Sequence, residues 1–173
     1  MEWRDPIYIL AGFAGVVALV LLLFQPLLAA GYLLGLSKRR GKQVHRFIGA
    51  LLFLAVLFHV AGLWITSPPD VIDAMLFRSP TAFSVWGVIA MWAVIVTGVL
   101  ATLRLRLHLR PRTWQRVHLG LAVVIVLGTV IHAMLIDGAM GTLSKTALCA
   151  LVVVATSQVM VKLNLFTRRK AEI

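Results

Sequence analysis

The chain has 173 residues, of which 61% are hydrophobic and only 13% charged, and its formal net charge is +11. Soluble domains run at about 45–50% apolar and about 25% charged, so the composition excludes a water-soluble globule and points to an integral membrane protein. One cysteine, Cys149, excludes an internal disulfide and reads as a small core residue; the excess of Lys and Arg fits loops at one membrane face rather than nucleic-acid binding.

Charged residues divide the chain into apolar runs. The first lies between Asp5 and Lys38 and predicts a span near 7–34. It is too long for a secretory signal, and "MEWRDP" lacks the positive segment such a signal needs. Pro26 marks a possible kink, which membrane helices tolerate. The next runs, between Arg46 and Asp70, Arg78 and Arg104, and Arg116 and Asp137, predict spans near 44–66, 82–104 and 115–136. "TSPPD" between the second and third reads as a Pro-rich turn. A fifth span near 143–165 lies between Lys145 and Lys162, with Lys162 snorkelling to the interface. A helix needs roughly 20 apolar residues to cross a bilayer, and none of the runs alternates as a strand would. The expected fold is therefore an all-α membrane protein, a bundle of five transmembrane helices forming a single domain over residues 1–173.

Orientation follows from Lys and Arg. The 37–46 loop carries Lys38, Arg39, Arg40, Lys42 and Arg46; the 104–116 loop carries Arg104, Arg106, Arg110, Arg112 and Arg116; the tail carries Lys162, Arg168, Arg169 and Lys170. The opposite side holds Arg4, Arg78 and Lys145 beside Glu2, Asp5, Asp70, Asp73 and Asp137. The positive-inside rule then puts the N-terminus outside and the C-terminus in the cytoplasm, in the cell (inner) membrane. Trp64 and Trp86 fit an outer aromatic belt and Trp114 an inner one.

No Asp or Glu lies within a span, but four histidines do: His45 and His59 on the second, His118 and His132 on the fourth. Intramembrane ionisable residues suggest function. Fourteen residues rise about 21 Å and return within about 40° of the same helix face. The two helices run in the same direction, so His45 is level with His118, and His59 with His132. Facing imidazoles at one depth suit ligation of haem iron from both sides, and two levels give two stacked haems. Zinc prefers four tetrahedral ligands, and no carboxylate or second cysteine is near. Without a Cys-x-x-Cys-His motif the haems would be non-covalent and b-type. The alternative for the histidines is hydrogen bonding between helices. Gly49, four residues after His45, and Gly128, four before His132, would let a flat macrocycle approach the backbone, or equally would pack helix on helix. Lys42, Arg46 and Arg116 are candidate partners for haem propionates at the inner level. Leu52 and Ile125 fall midway between the levels and make that gap apolar. Phe53 and Trp92 lie at similar depth, as bridges or as plain packing. His108, in "RLRLHLRPR", reads as a solvated loop residue.

"VHRFIGALLFLAVLFH" and "TWQRVHLGL…VIHAML" resemble the two ligand helices of the ferric reductase-like transmembrane domain, which is shared with NADPH oxidases. The resemblance covers the four central helices. It implies that His45 and His118 hold an inner haem and that His59 and His132 hold an outer one. It also implies electron flow from a cytoplasmic NAD(P)H–FAD domain to an acceptor outside. Typical members have six helices, so this chain is expected to lack the first. No flavin or nucleotide segment follows, and no Gly-rich phosphate loop occurs. FAD and NAD(P)H would then act only through a separate flavoprotein partner, as for stand-alone haem-binding subunits.

Bis-histidine iron has no open position, so electron transfer is expected rather than substrate ligation. The leading expectation is a diheme b-type cytochrome, the electron-transfer membrane subunit of an oxidoreductase, embedded in lipid. It would carry electrons from a cytoplasmic donor to an outer acceptor such as ferric iron or oxygen. Two other readings stand beside it: a quinol-linked haem subunit of a periplasmic reductase system, and a non-redox membrane assembly or transport module with structural histidines.

Overall fold

The computed structural model describes residues 5–32, 37–138 and 140–169, without the side chains of Lys38 and residues 163–169. Residues 33–34 of the first expected span, and Glu2, Arg4 and Lys170 from the orientation argument, lie outside them. The described residues form six helices and no strand: α1 (Pro6–Ala30), α2 (Lys38–Thr66), α3 (Pro68–Met75), α4 (Ala82–Leu103), α5 (Pro111–Leu135) and α6 (Thr142–Arg169). Five of them, all but α3, are long and apolar enough to cross a membrane. The chain is an integral, multi-pass, all-helical membrane protein.

The helix ends follow local chemistry. Asp5 caps α1 by accepting from the Ile7 amide at 2.7 Å, and Pro6 opens the helix where its missing N–H costs nothing. The helix runs on through Pro26 and stops at Gly31, whose φ of 69° is the left-handed conformation that a terminal glycine supplies. Tyr32 N then donates to Leu27 O and Gly31 N to Leu28 O, the paired bonds of a Schellman stop. Ser37 caps α2, which begins six residues before the expected start of that span, so the basic segment from Lys38 is helical too. At "TSPPD" the chain does break, at Ser67 after the end of α2, but Pro68, Pro69 and Asp70 already begin α3. Both prolines occupy its first turn, where proline is preorganised for a helix, and Val71 turns inward.

The helices close into a ring. Backbones approach most closely within the hairpins α1–α2 and α4–α5; α6 packs on α1 and α5, and α2 meets α4. Leu19, Leu22, Leu52, Ala93, Val94, Ile125, Cys149 and Val152 fill the centre, drawing on all five long helices. Large apolar side chains such as Leu10, Phe58 and Val161 face outward, as expected where the surroundings are hydrocarbon. Two lysines tie α6 into the ring. Lys162 donates to Ala30 O at 2.9 Å and lies 4.7 Å from the centre of the Tyr32 ring. Lys145, expected on the outer side at the start of the fifth apolar run, is buried at 6% exposure and donates to Ile136 O at 2.7 Å. Each cation meets the carbonyl end of a helix, α1 or α5, where unpaired acceptors and the helix dipole favour positive charge.

Candidate functional site

Helices α2 and α5 face each other across the ring, and the side chains that meet between them are the four histidines. His45 and His118 lie with ring centres 6.1 Å apart and planes at 76°. His59 and His132 lie 6.4 Å apart at 80°. Each helix contributes one histidine near each end because the fourteen-residue separation restores the same face. Leu52 and Ile125 are buried between the two levels.

Hydrogen bonding distinguishes the levels. His59 Nδ1 lies 2.8 Å from Ala11 O on α1, and His132 Nδ1 lies 2.8 Å from Phe83 O on α4. A carbonyl only accepts, so Nδ1 carries the proton in both rings and Nε2 is left with its lone pair. This is how ligating histidines are usually held, with the second ring nitrogen donating to a carbonyl that fixes tautomer and orientation. Among the described residues, the buried Nδ1 of His45 and of His118 makes no hydrogen bond, although the Gln25 backbone lies beside the His45 ring. Gln25, a polar residue inside α1, donates to the backbone carbonyl of His45 at 3.5 Å.

The donor set decides which metal group these residues suit. Among the described residues no three His, Cys, Asp or Glu side chains gather where they would hold a metal ion. A bare tetrahedral ion therefore finds too few ligands. Two opposed imidazoles per level suit an iron whose other four ligands come from a macrocycle. A metal–imidazole bond is about 2 Å. Adding the distance from nitrogen to ring centre on each side gives roughly 6 Å between centres, the spacing of both pairs. Edge-to-face aromatic contacts reach the same spacing, so the stronger fit is the fixed Nδ1 proton of His59 and His132. The residues fit haem.

Other residues singled out in the sequence fall in different places. Gly49 faces the Gln25 side chain, 3.6 Å from where its Cβ would stand. Gly128 faces α4, where a Cβ would stand 3.0 Å from Trp86 O and 3.1 Å from Ala90 Cβ. Both therefore pack against the other helix of their own hairpin. Lys42, Arg46 and Arg116 are exposed at the His45–His118 end. Phe53 packs on Gly98 of α4, and Trp92 turns outward at 52% exposure. Trp114, expected in an inner aromatic belt, also makes a specific contact. It stacks on His118 with centres 5.1 Å apart and planes at 24°, and the Arg104 guanidinium lies 5.8 Å from its centre. Trp64 and Trp86 are exposed near the other end, and His108 is exposed in its loop.

Two glycines carried no signal in the sequence. A Cβ on Gly15 would stand 3.0 Å from His59 Nδ1, and one on Gly87 would stand 2.7 Å from His132 Nδ1. Each lies one helical turn after the carbonyl that its histidine engages.

Comparison with known proteins agrees with this geometry. No curated protein and no solved structure matches the chain. The family model described as "Ferric reductase like transmembrane component" matches residues 8–129, from the first turn of α1 to beyond Gly128 on α5. The matched region holds His45, His59 and His118, and His132 follows one turn later. With well over half of its length matched, the chain belongs to the ferric reductase-like transmembrane component family.

Proposed function

We propose that this protein is a two-haem b-type cytochrome that carries electrons across a membrane. It would be the electron-transfer subunit of a ferric reductase-like system. The observation that carries the reading is the pair of opposed imidazole couples, one toward each end of the same two helices. His45 and His118 would hold one haem, and His59 and His132 the other. When bound, each haem supplies a one-electron ferric–ferrous couple.

The chain's own residues supply the setting. The four imidazoles would be the protein ligands of the two irons, one couple to each, and would leave no position for a substrate on iron. Leu52 and Ile125 fill the space between levels with apolar side chains and exclude water. Lys42, Arg46 and Arg116 offer cationic partners for propionates at the His45–His118 end. The Lys- and Arg-rich loops support a cytoplasmic position for that end, in the cell membrane. The donor would be a separate flavoprotein and the acceptor an oxidant outside, such as ferric iron or oxygen.

The test is a reduced-minus-oxidised spectrum with quantification of extracted haem on the purified chain. Two b-type haems per chain are expected. A colourless protein that takes up no added haem would remove the proposal.

A further inference from the structure

The two hairpins repeat each other. His118 and His132 follow His45 and His59 by 73 residues, and Phe83 and Gly87 follow Ala11 and Gly15 by 72. In both hairpins the first helix offers a main-chain carbonyl to the histidine nearer the end of the second. In both, that carbonyl would ordinarily accept from the amide four residues on, and that residue is a glycine. The carbonyl of Ala11 or Phe83 is thus approached from the side by an imidazole, through the space a Cβ would fill. At Gly87 that Cβ would stand 2.7 Å from Nδ1 and 2.8 Å from Cε1 of His132. Real Cβ atoms do not stand so close, and the ring could retreat only by giving up its bond to Phe83 O.

We propose that Gly15 and Gly87 are positioning residues that set the redox potential and haem affinity of the His59–His132 level apart from those of the His45–His118 level. The inference rests on the two-haem reading above. Donation of Nδ1–H to a carbonyl makes Nε2 more electron-rich and a stronger ligand. A stronger donor favours ferric iron over ferrous and lowers the potential. At the His45–His118 level, neither Nδ1 makes such a hydrogen bond among the described residues; the Gln25 backbone lies beside the His45 ring without closing one, and His118 has no carbonyl beside it. The family resemblance assigns ligands to both levels and does not distinguish them; the glycine-lined carbonyl contact does.

The experiment is a spectroelectrochemical titration with haem quantification on the full chain in lipid nanodiscs. It compares wild type, Gly15→Ala, Gly87→Ala and Gly41→Ala. Gly41 has open space where a Cβ would stand and serves as the control. Two separated potentials are expected in wild type and in Gly41→Ala. Gly87→Ala should move one potential upward and leave the other in place. It should weaken binding of that haem by about 10–100-fold, the usual effect of losing an outer-shell partner. Gly15→Ala, with its looser 3.0 Å contact, should shift the same potential less and remains measurable if Gly87→Ala fails to accumulate. Wild-type potentials and full occupancy in both variants would overturn this inference and leave the two-haem reading intact. Equal shifts at both levels would mean general loosening of the bundle and would also overturn it. Absence of haem from the wild-type chain would overturn both.

Discussion

Each intramembrane histidine has two ring nitrogens, and the ring of helices gives them separate tasks. At His59 and His132, Nδ1 is committed to a carbonyl, which leaves Nε2 for a metal. Truncating His132 to alanine should therefore remove one haem and retain the other, because the His45–His118 couple shares no contact with it. Haem quantification and the residual spectrum check this, and equal loss of both haems would contradict the pairing. Gly128→Ala should act differently. Its new Cβ would meet Trp86 O and Ala90 of α4 at 3.0–3.3 Å. Overpacking of this kind costs typically about 1–3 kcal/mol, so the thermal midpoint should fall while both potentials hold. The histidines were legible in the sequence because an ionisable group in an apolar run is conspicuous and a fourteen-residue gap fixes one face. Gly15 and Gly87 were not. Glycine is common in membrane helices, and neither helix bearing them carries an ionisable residue to draw attention. The stack of Trp114 on His118 was not legible either, because a tryptophan beside arginines suits a membrane interface as well.

At the scale of elements, α6 is held by its charges as well as by its packing. Lys145 Nζ reaches Ile136 O at 2.7 Å and Met134 O at 3.4 Å, closing the carbonyl end of α5 just beyond His132. Two effects compete in Lys145→Met. Removing a buried cation recovers desolvation energy, but two main-chain acceptors lose their donor at a site sealed from water. Hydrogen bonds to charged groups are worth about 1.5–3 kcal/mol, and an abandoned buried acceptor costs a similar amount. Loss should prevail, so Lys145→Met should unfold at lower temperature in detergent. Lys162→Met should cost less, because Lys162 is only half-buried and water can replace it at Ala30 O. A higher midpoint in Lys145→Met would show desolvation to be the larger effect. The five long helices were legible from charge-free runs alone. The contact between Lys145 and α5 was not, since a lysine at the edge of an apolar run reads as a boundary. The short helix α3 was missed for a related reason: eight residues opening on two prolines resemble a turn until the chain is seen to continue for two turns.

At the scale of the whole molecule, two similar hairpins face each other and α6 closes the ring. Haem held between α2 and α5 would therefore lie within a ring of helices from this one chain. The interval of 72–73 residues that relates the hairpins was visible at first only in the histidines, because the rest of the repeat lies in main-chain carbonyls and glycines. Five crossings would put the two chain ends on opposite sides, and by the positive-inside rule the basic loops would mark the cytoplasmic one. The 37–46 and 104–116 segments carry the clusters of Lys and Arg, while the connections at the other end contain Asp70, Asp73 and Asp137. If the positive-inside rule holds, a cysteine in place of Pro80 should react with a membrane-impermeant maleimide added to intact cells. One in place of Gln115 should react only after the membrane is opened. Both positions are exposed, and the native Cys149 is buried, so it contributes little background. The reverse pattern would turn the molecule over. The His59–His132 level would then face the cytoplasmic donor, and electrons would have to enter at the level whose ligands hold ferric iron more firmly.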